Sequence, residues 1–428
     1  MVSRTDSSFA RVTDTVAALR GGGRGWTLVA VAGGWFFALG LRFVIPALLP
    51  AIRADFPVSE TVAGAAITLL WVTYAVMQFP AGVLIDRVGE RALLVTGAVA
   101  GGLTMAVYAL SPTFAVFLVA TGAYGLASGL YGPPRGTALS RIYAGNDGAA
   151  FGIVLAAGSI GAALLPPVAT YASGLVGWRG ALALTVPGFL LAGAALRRFV
   201  PRRDAEQTDD APDPGPDAAG KRARIRAYAG AVRDAVASRT VGLALVGTML
   251  MLFAFQGLTA FLTTYLVTAK GLSEAVAGTL FGLLFLSAAV FQSAGGALAD
   301  RYGHGRVLAA VAFAGVPPLV ALPYADSLAV LVAVVLFLGM RLSVGPISNA
   351  YIVSLLPTDV RGTAWGAVRT TLFVVGSLGS TAVGAMADYD RYTTAFFLLA
   401  GLTGIAGVIY LSLPEREDVA VGHESGDV

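Results

Sequence analysis

The feature that most constrains this chain is the recurrence of long apolar blocks. The first runs from Trp26 to Leu49 and holds a single charge, Arg42. A helix rises 1.5 Å per residue, so about 20 apolar residues cross the ~30 Å hydrocarbon core of a bilayer. Eleven further blocks follow, near 60–84, 92–110, 113–135, 150–171, 179–198, 240–265, 275–298, 306–325, 328–350, 362–384 and 393–412. Only 13% of the residues are charged, where a soluble domain carries about 25%. The expectation is an all-α membrane protein with twelve transmembrane helices. The polar first 25 residues precede a run too long for a signal peptide.

Basic residues set the expected orientation. Of the 29 Lys and Arg, only Arg53, Arg179, Lys270 and Arg391 fall on one side, and three lie within spans. The rest fall on the side of the termini, which the positive-inside rule makes cytoplasmic. The expected location is therefore the cell membrane, multi-pass, with both termini cytoplasmic. The sequence pI of about 9.4 follows from these topology-setting arginines, not from a nucleic-acid surface, so no nucleic acid is expected as a partner. The long hydrophilic stretch 199–239 contains DDAPDPGPDAAG and then KRARIRAYAG, which reads as a flexible cytoplasmic linker ending in an interfacial helix. It divides the chain into a segment 1–25, a six-helix bundle 26–198, the linker, a second six-helix bundle 240–412 and a tail 413–428.

The two halves repeat. SETVAG at 59–64 matches SEAVAG at 273–278, an offset of 214. At that offset GVLIDRVGER (82–91) falls on GALADRYGHG (296–305), and Gln78 falls on Gln292. Six-span repeats of this kind are a transporter architecture. The motif GVLIDRVGER also resembles the cytoplasmic-loop signature of the major facilitator superfamily, G-x-L-x-D-R-x-G-x-R, with a degraded second copy where that family has one. The resemblance covers about 26–412. It implies a fold of two six-helix bundles, with spans 1, 4, 7 and 10 lining a central cavity. It also implies a gating role for Gly82, Asp86, Arg87, Gly89, Arg91, Asp300 and Arg301. Electrostatics agrees: Asp86 is expected to meet the positive N-terminal end of span 11 near Gly362, and Asp300 that of span 5 near Gly148. A tight hairpin with no gating role is the plainer reading of both loops.

Polar residues recur at helical spacing on the inner spans. Span 4 carries Tyr124, Ser128, Tyr131 and Arg135; span 7 carries Thr248, Gln256, Thr259 and Thr263; span 10 carries Arg341, Ser348 and Asn349; in span 1, Trp35 and Arg42 share a face. The repeat offset sets Arg42 against Gln256. The expected substrate-binding set is Arg42, Arg341, Gln256, Tyr124, Ser128, Tyr131, Thr259 and Trp35, with Trp71 and Tyr74 as further wall candidates. Each has a structural alternative. Arg42 can snorkel to the outer headgroups, Arg341 can bond carbonyls freed near Pro346, and Arg369 and Arg135 suit structural or interfacial roles equally.

All 25 Asp and Glu fall in loops, tails or span ends, so Arg42 and Arg341 have no acidic partner in the spans. An uncompensated buried cation is costly, and a bound anion supplies the missing charge; arginine also grips carboxylate or phosphate in a two-pronged way. Lacking a membrane carboxylate, the chain suits exchange, facilitated diffusion or a proton carried on the substrate better than a carboxylate relay. GLRFVIPALLPAIRADFPVS (40–59) further resembles organic-anion branches of the superfamily, the anion:cation symporters and monocarboxylate porters. Those branches often carry a second basic residue in span 7 or 8, where this chain has Gln256. The G-P-x-x-G-G run of drug–proton antiporters is missing from GSIGAALLPP (158–167).

The reading is a secondary transporter of a small anionic solute working by rocking-bundle alternating access, as a monomer in the lipid bilayer. The alternatives are an exporter of a neutral or lipophilic solute, or a non-transporting sensor of the same fold. With no cysteines and only two histidines, His304 and His423, no metal site or cofactor is expected. Nothing resembles an enzyme: GGGRG at 21–25 follows no strand and is a juxtamembrane hinge.

Overall fold

The computed structural model describes residues 24–202, 238–356 and 361–414, together with Leu19, Gly21, Gly230 and Arg233, with side chains for all but 361–363. The N-terminal segment, the interfacial helix of the linker and the tail lie almost entirely outside the described residues. Within them there is no strand, and ten helical runs are long and apolar enough to cross a membrane. Two of the runs are double length. Glu60–Ala109, with 50 residues, is broken at Gly89 (φ 77°), and Asp147–Phe199, with 53, at Gly177 (φ 73°) and again at the Leu184–Thr185 turn. Divided at the two glycines, the ten runs become twelve segments, each of crossing length.

Span 1 is Arg24–Ala47; spans 2 and 3 share Glu60–Ala109; span 4 is Phe114–Ile142; spans 5 and 6 share Asp147–Phe199. After the linker come span 7, Arg239–Thr268, span 8, Glu274–Tyr302, span 9, His304–Tyr324, and span 10, Leu328–Leu355. Span 11, Arg361–Ala387, and span 12, Tyr392–Leu411, complete the order.

The sequence repeat is a repeat of local chemistry. Ser59 and Ser273 each cap a helix by accepting a hydrogen bond from the N–H three residues on, Val62 and Val276. Such caps fix where spans 2 and 8 start. At the other end of each pair of spans, Gly89 and Gly303 (φ 91°) hold the left-handed conformation that turns the chain into the next span, a region glycine enters without Cβ strain.

Spans 1–6 pack among themselves, as do spans 7–12, and the groups meet along two seams, span 2 on span 11 and span 5 on span 8. Small residues let the backbones close: a side chain at Gly64 would collide with the Ser380 carbonyl, and one at Gly278 with Thr170. Such contacts replace hydrophobic attraction between helices in lipid. The seams are tight only toward the far side, where span 1 ends. There Asp388 accepts hydrogen bonds from the Glu60 N–H (2.5 Å), the Thr61 N–H (3.1 Å) and the Thr61 hydroxyl, capping span 2 from across the seam. Arg53 pairs with Glu60, whose carboxylate also accepts from the Tyr392 hydroxyl at 3.3 Å.

On the near side, where span 1 begins, the described glycines of the seams make no such close approach. Around Gly82, Gly148, Gly296 and Gly366 the space that a side chain would enter is open. Asp86, Arg87, Asp300 and Arg301 are exposed. Asp300 is exposed, and the space beside Gly148, where its partner is expected, is open. The side chains at the start of span 11, the expected partner of Asp86, lie outside those described. Glu90 and Arg91 tie their own group together instead: Arg141 pairs with Glu90 at 3.4 Å, and Arg91 donates to the Arg197 carbonyl.

Candidate functional site

Between the two groups lies a cavity of about 290 Å³, lined by spans 1, 2, 5, 7, 8, 10 and 11. Prolines shape two of its walls. A proline lacks the N–H that would bond the carbonyl four residues earlier, and its ring crowds that carbonyl. Pro46 therefore loosens span 1 at Arg42. Pro346 does the same at Leu342, where span 10 tightens into a 3₁₀ turn over Met340–Ser343 that carries Arg341.

Arg42, 1% exposed, does not snorkel outward. Its Nε donates to the Ala38 carbonyl at 3.1 Å, one turn toward the near side, as helical side chains lean. Its guanidinium lies 4.1 Å from the centre of the Tyr74 ring, 5.1 Å from Trp35 and 5.3 Å from Trp71, while Nη2 is buried without a hydrogen-bond partner. Cation–π contacts of this kind are worth about 0.5–2 kcal/mol each and do not replace an anion. Arg341, 4% exposed, donates from Nη2 to the Thr403 hydroxyl at 2.8 Å and leaves Nε and Nη1 without partners. No carbonyl freed by Pro346 takes it up. Arg369 lines the same cavity, half-buried, with Nη2 at 3.5 Å from the Tyr74 hydroxyl. The lining contains no Asp or Glu, and among the described residues neither Arg42 nor Arg341 pairs with a carboxylate.

Of the expected binding residues, the structure brings Trp35, Arg42 and Arg341 to the cavity wall together with Trp71 and Tyr74. The others lie behind it. Tyr124 donates to the Ala38 carbonyl at 3.1 Å, the same oxygen that Arg42 uses, and Tyr131 donates to the Val31 carbonyl at 2.9 Å. Both pin span 4 to span 1. Ser128 bonds within its own helix, to Gly125. Gln256 and Thr259 are buried outside the lining, Gln256 with neither amide atom partnered and Thr259 bonded to the Phe255 carbonyl. The offset that pairs Arg42 with Gln256 therefore does not carry both into the cavity. Arg135 is buried behind Trp35, its guanidinium 3.8 Å from that ring's centre.

Sequence reasoning missed the phenylalanines Phe43, Phe255, Phe285 and Phe373, all on the wall. One had a signal: the 214-residue offset that pairs Gln78 with Gln292 also pairs Trp71 with Phe285. Periodicity treats the rest as ordinary core positions.

A bundle of membrane-length helices around a central, seam-spanning cavity defines a polytopic helical membrane protein with a solute-sized internal site. The sequence model of the Major Facilitator Superfamily matches residues 30–380 and 271–426; the chain belongs to that family, one of transporters and not of enzymes. It is similar to a probable hexose phosphate transport protein of Chlamydia muridarum, 29% identical over 143 residues, which are 33% of this chain and 31% of that one. A probable L-galactonate transporter of Escherichia coli is 28% identical over 143 residues, 33% of this chain and 32% of the other. These matches span about a third of each relative's length. Among solved structures, a bacterial homologue of the human lysosomal transporter Spinster, captured inward-facing and unoccupied, superposes with a TM-score of 0.72. It is 16% identical, with 90% of this chain and 96% of that chain covered; the likeness is one of fold.

Proposed function

We propose that the chain is a twelve-span solute transporter of the cell membrane, two six-helix bundles that carry a small organic anion by alternating access. The observation that carries the reading is the charge of the cavity: Arg42, Arg341 and Arg369 line it, with no carboxylate in the lining. Two of these cations are buried with unpartnered donors, and buried charge demands compensation. The names of the relatives agree, since hexose phosphate and galactonate are both anions. With the termini cytoplasmic, the near side faces the cytoplasm and this conformation is open inward. Exchange or facilitated diffusion suits a cavity without a lining carboxylate.

A neutral or lipophilic solute is the second reading, favoured by the aromatic share of the wall. Arg42→Gln and Arg341→Gln separate the two. A hydrogen bond to a charged group contributes about 1.5–3 kcal/mol, so each variant should lose roughly tenfold to a hundredfold in anion affinity and in counterflow from proteoliposomes. Unaltered anion affinity in both variants would sink the anionic reading.

A further inference from the structure

The closed end of the cavity differs from its mouth. On five of the seven lining helices, the lining residue nearest the far side is aromatic: Phe43, Trp71, Phe255, Phe285 and Phe373. They form one cluster drawn from both groups of spans. Phe43 packs on Phe285 with ring centres 4.4 Å apart, on Trp71 at 5.7 Å and on Phe255 at 6.2 Å. Trp71 stacks on Phe373 at 5.6 Å with 8° between planes. Within the cluster only the Trp71 indole N–H can bond a hydroxyl, with Arg42 and Arg341 at its border. Gln292 and Asn349 lie at the near-side ends of their helices' lining stretches, and the Thr248 hydroxyl already donates to the Ala244 carbonyl. Arg42 stands directly over the cluster, its guanidinium 5.3 Å from the Trp71 ring.

A polyhydroxylated body seated here would exchange water for a floor with a single hydrogen-bond donor, the Trp71 N–H, and each unpaired hydroxyl lowers affinity. An aromatic ring gains instead, by burial and by offset or edge-to-face packing. We infer that the site takes an aromatic carboxylate, its anionic head held by Arg42 and Arg341 and its ring seated on Phe43, Trp71, Phe255, Phe285 and Phe373. This rests on the anionic reading above and departs from the sugar-derived anions in the relatives' names.

The test is calorimetric titration of the full-length protein in detergent with 2-naphthoate, D-gluconate and glucose 6-phosphate, and with uncharged 2-naphthamide. Gluconate carries the same single charge as naphthoate, so their ratio reads the body alone. The expected result is naphthoate binding at least tenfold more tightly than either sugar acid, with the amide weaker still. Trp71→Leu and, on the other group of spans, Phe285→Leu should each cut naphthoate affinity severalfold while leaving gluconate unchanged; two variants guard against one that fails to fold. Gluconate or glucose 6-phosphate binding as tightly as naphthoate, lost in Arg42→Gln, overturns the aromatic inference and leaves the anionic reading standing. Naphthamide matching naphthoate, with both arginine variants silent, overturns both. So does the lack of saturable binding by every member of the panel.

Discussion

Each end of the two seams is built from a repeated motif, yet the far-side end is latched across the seam and the near-side end is open around its glycines. On the far side, Asp388 caps span 2 across the seam, and Gly64 lets span 2 lie against the Ser380 carbonyl. On the near side, Asp86, Arg87, Asp300 and Arg301 of the loops GVLIDRVGER and GALADRYGHG are exposed, and the space beside Gly82 and Gly296 is open. The contrast teaches where the interaction energy of this conformation lies. At the far-side end it is in a few polar contacts and close backbone approaches.

The comparison can be broken most directly at the far-side seam. Gly64→Leu drives a side chain into the Ser380 carbonyl, and overpacking costs about 1–3 kcal/mol. The far-side-closed population should fall by roughly tenfold to a hundredfold. The chain has no cysteines, so Ser377→Cys, fully buried in this conformation, provides a single reporter whose maleimide labelling should accelerate by that factor. An unchanged labelling rate would show that the seam does not hold the far side shut.

Asp388→Ala removes the cap. Loss of a cap costs about 0.5–2 kcal/mol, and the exposure of Asp388 favours the lower part of that range. Labelling of the same reporter should rise about twofold to fivefold. On the near side, Asp86→Asn removes a charge suited to the N-terminal end of span 11, an interaction of about 0.3–1 kcal/mol. Counterflow should slow while far-side labelling in this conformation stays unchanged. Normal counterflow at a normal amount of protein in the membrane would remove Asp86 from the gate.

The smallest expected effect is that of pH. Burial pushes the Asp388 carboxyl up, but hydrogen bonds from the Thr61 hydroxyl and the Thr61 and Glu60 N–H groups prevail and hold its pKa below the ordinary value. A carboxylate depressed in the folded state contributes its stability in full above the unfolded value of about 3.9, and loses it as pH falls through the lowered one. Far-side labelling, taken at each pH relative to that of the unfolded protein so that the reporter thiol's own titration cancels, should therefore be flat from about pH 8 to 5 and rise only below about pH 4. Asp388→Asn should abolish that rise; if it persists, Asp388 is not its source, nor is the neighbouring Glu60, whose pKa burial raises so that its protonation favours this state.

The architecture was legible because a bilayer imposes a length and a hydrophobicity on each helix. The apolar blocks marked the runs, and the serines and glycines of the repeat marked their starts and turns. The site was legible only in part. Arg42 and Arg341 stood out as charges in apolar surroundings, a signal independent of packing. Tyr124 and Tyr131 carried a polar stripe at the right spacing and yet face span 1, since a stripe marks a helix's polar face and not its neighbour.

By itself the sequence determined the all-helical membrane class, the family, the repeat and the two inner arginines, because each follows from local composition or spacing. The tertiary structure alone decided that Arg42 curls toward the near side over Tyr74 and that Arg341 rides a 3₁₀ turn. It also decided that five aromatics from two halves converge into one floor, and that Asp388 reaches across to cap span 2. These depend on which helix lies against which, a relation between residues hundreds of positions apart. In a lipid-embedded bundle it is set by close packing and by the partners that buried polar groups find.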